Sequence, residues 1–159
     1  MSILCRVTRG DLTESIHVVF AVAVDETGTV FYSTGDPYYL TCIRSSLKPF
    51  QAAAAVKAGA VDAAGFSDDE LAVMCASHNG EDIHVKTVQS MLNKLGLSTA
   101  DLECGSHFPS DKITRHKMIK EGKSAESIHN NCSGKHAGML ALAKHLDQGI
   151  KGYIQKGHP

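Results

Sequence analysis

The stretch RSSLKPFQAAAAVKAGAVDAA, residues 44–64, contains the change of period that decides the fold class. From Phe50 to Ala64 it is Ala-rich with few polar residues, the composition of a helix buried on most sides. Everything before it reads as strand. Ile3, Cys5 and Val7 alternate with Arg6 and Thr8, a period of two. Residues 15–24, SIHVVFAVAV, are almost continuously apolar and β-branched, as in a strand covered on both faces. Residues 29–33, TVFYS, follow the turn Asp25-Glu26-Thr27-Gly28. Three sequential strands with short links predict an antiparallel meander. Everything after residue 64 reads as helix. Ser67 caps a helix over 68–76. Val85, Val88, Leu92 and Leu95 form an apolar stripe that Gly96 ends. A polar helix spans 111–120, and residues 134–146 hold an apolar, buried centre. Strands first and helices second predict an α+β fold, an antiparallel sheet packed with helices.

Length and charge narrow the class. The chain has 159 residues, enough to bury a core without a disulfide or metal staple. Sixteen Lys and Arg against 17 Asp and Glu leave a formal charge of −1, with no electrostatic footprint for nucleic acid or an anionic membrane. No window is long and apolar enough for a spanning helix, and Arg6 interrupts the short apolar run at the N-terminus. Five cysteines without regular spacing fit a reducing compartment, so a cytoplasmic location is expected. The tail, 149–159, ends with neither helix cap nor charged flourish, and the chain reads as cut rather than finished.

Four loops carry chemistry. Ser45 and Lys48 stand three apart at the mouth of the Ala-rich helix, where one helical face brings hydroxyl and amine together. An amine can take the proton of a serine hydroxyl, and helix-mouth N–H groups face a developing anion. Pro49 places the start of the regular ladder here. A capping serine beside a surface lysine is the plain alternative. Residues 75–81, CASHNGE, crowd small and polar groups on an Asn-Gly turn between helices, and the plain alternative is a helix–turn–helix link. Residues 131–138, NCSGKHAG, combine Cys132, Lys135 and His136 with glycines that permit close backbone approach. Soft metal ligation, nucleophilic chemistry and an inert helix start all remain open there. Residues 104–109, CGSHFP, form a further loop. There is no GxGxxG, GxSxG, HExxH or CxxC, and Lys117 stands where a P-loop needs its first glycine.

Taken together, RSSLKPFQ at 44–51, CASHNGE at 75–81, CGSHFP at 104–109 and NCSGKHAGM at 131–139 resemble the bacterial L-asparaginase II family of the Rhizobium type. That family is similar to the serine β-lactamases and penicillin-binding proteins, and Ser-x-x-Lys at the start of a buried helix is the shared feature. The resemblance implies an incomplete fold of that type, with residues 1–159 the N-terminal part of one domain whose C-terminal half is absent. It implies Ser45 as nucleophile, Lys48 as its base and Ser77 as a second active-site serine. Arg44, His78, Asn79 and His136 would lie against the substrate. Cys132 and Lys135 match zinc ligands, so an incomplete zinc site is expected, and the full-length form is expected to be a homodimer.

The expected function is therefore hydrolysis of L-asparagine to L-aspartate and ammonia, with a small-molecule substrate, no nucleic acid and no membrane. Two alternatives stand beside it. One is a catalytically inactive truncated module that binds metal or amino acid. The other is a β-lactam-binding serine acylase, suggested by Ser-x-x-Lys alone.

Overall fold

The computed structural model describes residues 3–158. They form an α+β chain in two compact units, divided between Cys42 and Ile43.

The first unit contains β1 (Ile3–Arg9), β2 (Leu12–Val19), β3 (Ala21–Val24) and β4 (Val30–Thr34). β1 pairs antiparallel with β2, Ile3 opposite Val19 and Arg9 opposite Leu12, and Gly10 takes the left-handed conformation that the tight turn requires. β3 pairs antiparallel with β4 around a turn in which the Asp25 carboxylate accepts the Thr27 and Thr29 N–H groups at 2.9 Å. The expected three-strand meander is thus two separate two-stranded sheets. The run 15–24 breaks at Phe20, whose ring stacks on Tyr39 with centroids 4.4 Å apart. It also fills the space a Cβ on Gly35 would need, 2.5 Å from Phe20 Cδ1. Nor is that run covered on both faces, because Ile16 and Val18 are 61% and 56% exposed. β-branched residues favour extended backbone, whereas cover depends on partners that a two-stranded ribbon lacks.

The second unit is helical: α1 (Lys48–Lys57), α2 (Ala60–Ala63), α3 (Asp68–Cys75), α4 (Asp82–Leu95), α5 (Lys112–Lys120) and α6 (Ser133–His145). The predicted helix over 50–64 is two helices, because Gly59 adopts a left-handed φ of 81° and ends α1. Ser67 and Glu70 close a reciprocal capping box on α3. Gly96, also left-handed, ends α4 after Leu95. α6 is the hub and packs against α1, α2, α3 and α4. Its Ala137 and Leu140 are fully buried in a core shared with Val88, Met91 and Leu92 of α4.

Glycine sets how closely α6 meets α3. A Cβ on Gly134 would lie 2.4 Å from the Val73 carbonyl oxygen, and one on Gly138 would lie 2.4 Å from Met74 Cε. Only a glycine stripe admits that approach. It brings the N-terminus of α6 beside the C-terminus of α3, where the loops with candidate chemistry begin.

Candidate active site

A short 3-10 turn, Arg44–Leu47, leads into α1, and the Lys48 N–H donates to the Ser45 carbonyl. Pro49 sits in the first helical turn, where its missing N–H costs nothing. Arg44 holds a left-handed φ of 50°, a strained conformation for a non-glycine residue and one that concentrates at functional sites.

Lys48 is only 2% exposed, and its amine is the meeting point of the site. Nζ donates to the Ala76 carbonyl at 2.6 Å, to Ser77 Oγ at 2.9 Å and to the Asn131 carbonyl at 3.2 Å. Those three bonds use every hydrogen of an ammonium group. A neutral amine would keep two hydrogens for the carbonyls and turn its lone pair toward the Ser77 hydroxyl. Lys48 therefore engages Ser77 directly, and among the described residues no side-chain bond joins it to Ser45. Ser45 is exposed and lines an open cleft of about 390 Å³ with Arg44, Leu47, Lys48, Gln51, Cys132 and Lys135.

The remaining loops are tied to this centre. The Asn130 side chain accepts the Cys132 N–H at 2.8 Å and donates to the Cys104 and Gly105 carbonyls at 2.7 and 3.2 Å. The Asn131 N–H donates to His107 Nε2 at 3.3 Å. Asn79 is exposed, and it accepts the Asp111 N–H on its carbonyl and the Ser110 hydroxyl on Oδ1. All four sequence loops thus converge on one end of the helical unit. The sequence model of the L-asparaginase II family matches residues 5–159, nearly the whole chain. The chain belongs to that family. A search among curated proteins finds no match.

Two of the expected substrate-facing histidines are buried. His78, 4% exposed, accepts the Gly80 N–H on Nδ1 at 3.1 Å and donates from Nε2 to Ser133 Oγ at 2.8 Å. The Ser133 hydroxyl in turn donates to the Ile128 carbonyl, which leaves its oxygen free to accept and fixes the Nε2–H tautomer of His78. His136, 5% exposed, meets the Tyr153 hydroxyl at 2.8 Å on Nδ1. The same hydroxyl accepts the Glu103 N–H at 2.8 Å. Sequence reasoning missed Asn130, Ser133 and Tyr153. No local signal singles out Ser133 within NCSGKHAG, and nothing local marks Tyr153.

Burial, first of all, holds both imidazoles down at about 4 from 6.5. The charges of His84, Lys48 and His107 add to it at His78, and those of Lys135 and Lys48 at His136. Between pH 6.5 and about 4 the unfolded chain binds protons that the folded chain refuses. Stability is therefore full above pH 6.5 and falls as pH drops through that window. Urea unfolding should show a lower midpoint at pH 5 than at pH 7, and equal midpoints would contradict the burial of both rings.

Cys132 precedes the first residue of α6 and Lys135 lies one turn on, so both line the same cleft. Among the described residues there is no group of three or more His, Cys, Asp or Glu placed to hold a metal. The nearby Cys104 is held as a thiol: burial pushes it up to about 11, and its S–H donates to the Ser127 carbonyl. One thiol and one amine fill half a tetrahedral shell. The donors fit a closed zinc site only in part. Among the described residues no helix is long and apolar enough to cross a membrane.

Proposed function

We propose that the chain carries the nucleophilic half of an asparagine amidohydrolase. Ser45 Oγ attacks the side-chain amide carbon, the C–N bond breaks and ammonia leaves with the proton taken from the serine. Water then cleaves the resulting ester to give aspartate and regenerate the hydroxyl. Lys48 is the base, and Ser77, bonded to its amine, lies on the route by which the proton reaches the leaving nitrogen. An oxyanion here would have to draw on main-chain N–H groups other than that of Lys48, which is bonded to Ser45, and of Pro49, which has none. Arg44 at the rim of the cleft is a counter-ion for the substrate carboxylate, and Asn79 lies on the adjoining exposed turn.

One observation carries this reading: Lys48, whose buried amine is bonded to a serine hydroxyl, lines a cleft that also holds the Ser-x-x-Lys serine. The same bond favours a second reading, in which Ser77 is the hydroxyl that Lys48 deprotonates and Ser45 assists. We also propose, from family membership and Ser-x-x-Lys at the head of α1, a relationship to the serine β-lactamase fold. Residues 1–159 would then be the N-terminal part of that domain, and a longer form would assemble as a homodimer in the cytoplasm.

The test is ammonia release from asparagine, with glutamine and a chromogenic β-lactam as parallel substrates. Ammonia from asparagine without β-lactam turnover is the expected result. β-Lactam turnover would favour the acylase, and release by a longer form alone would make the 159-residue chain a binding module.

With two donors, zinc is expected to dissociate from this chain on dialysis against a mild chelator. Zinc retained at one equivalent would show a third donor, and its survival in Cys132→Ser would place the metal elsewhere.

A further inference from the structure

His78 touches nothing in the cleft, yet its bonds lead to each acceptor of the Lys48 amine. The imidazole joins two segments distant in sequence. One is the turn 76–80, which supplies the Ala76 carbonyl and the Ser77 hydroxyl. The other is the approach to α6, which supplies the Asn131 carbonyl. The His78 main-chain N–H donates to that same Asn131 carbonyl at 3.2 Å. From the ring, Nε2–H reaches Ser133 Oγ, and that hydroxyl continues to the Ile128 carbonyl. On the other side Nδ1 accepts the Gly80 N–H and shapes the turn itself. His84 stacks on the ring, centroids 5.1 Å apart and planes within 12°.

We propose that His78 is a positioning residue, which with Ser133 clamps the 76–80 turn to the start of α6 and so fixes the three acceptors that hold the Lys48 amine. This rests on Lys48 belonging to the site proposed above. The clamp has two separable halves. An asparagine at 78 retains an acceptor near Nδ1 for Gly80 but loses the reach to Ser133. A glutamine places an N–H donor near Nε2 and keeps it.

The test reads Lys48 directly, without relying on catalysis. The chain is treated with trinitrobenzenesulfonate, and labelled lysines are quantified by mass spectrometry. Lys94, bonded to Glu70 and the Gly65 carbonyl away from this clamp, serves as internal reference. His78→Asn and Ser133→Ala should each raise Lys48 labelling about tenfold relative to Lys94, roughly the effect of losing one buried hydrogen bond. His78→Gln should stay near the parent. Unchanged Lys48 labelling in both disrupting variants would overturn the clamp, as would a rise shared equally by Lys94 or by His78→Gln. In the ammonia assay, the disrupting variants should lower kcat with KM held, and His78→Gln should restore it. If no form releases ammonia while Lys48 labelling still follows this order, the amidohydrolase reading fails and the clamp stands.

Discussion

Replacing Lys48 by methionine is expected to cut ammonia release from asparagine by about 10²- to 10⁴-fold, the range over which a positioned base contributes. The methionine keeps most of the buried stem but removes the amine that Ala76, Ser77 and Asn131 share. The residual rate should climb with pH as hydroxide replaces the base, and a flat profile would make Lys48 merely structural. Ser45→Ala and Ser77→Ala separate the two nucleophile readings. If Ser45 attacks, its alanine variant has no measurable turnover while Ser77→Ala retains a slow rate. The reverse pattern would assign the attack to Ser77, the hydroxyl already in contact with the amine.

Gly134→Ala should be the most damaging single methyl in the helical unit. Its Cβ would stand 2.4 Å from the Val73 carbonyl oxygen, a backbone atom that cannot swing aside. α3 and α6 would have to separate, at a cost of about 3 kcal/mol or more, the upper end for overpacking. Urea unfolding measures that loss directly. Gly138→Ala makes the contrast, because its added Cβ meets the flexible Met74 side chain, so its loss should be the smaller of the two. Equal, small losses at both positions would mean that the helices are not in close backbone contact.

Local signals in the sequence were strong where the physics is local. The Ser67 cap, the Gly96 stop and the apolar centre of α6 each follow from neighbours within a turn or two. So does the glycine content of NCSGKHAG, which implied close approach without naming Val73 as the partner. The break at Phe20 was not legible, because it depends on Gly35 and Tyr39 from other strands or loops. Ser-x-x-Lys spacing suggested Ser45 as the neighbour of the Lys48 amine, whereas that amine bonds Ser77. Which hydroxyl it meets was decided by a turn 29 residues away. His78 and Ser133 were both within quoted motifs, yet a bond across 55 residues leaves no trace in either one.

The three bonds of Lys48 span 28, 29 and 83 residues. No fragment containing α1 alone can form them, since loop closure over such distances must be offset by packing elsewhere first. The amine's environment therefore requires α6 to be packed onto α1 and α3. A nascent or partly folded chain carries an ordinary, freely hydrated lysine at position 48. The hydrogen-bonded arrangement at Lys48 exists only where these helices are packed together, so a chain whose helix packing loosens loses it.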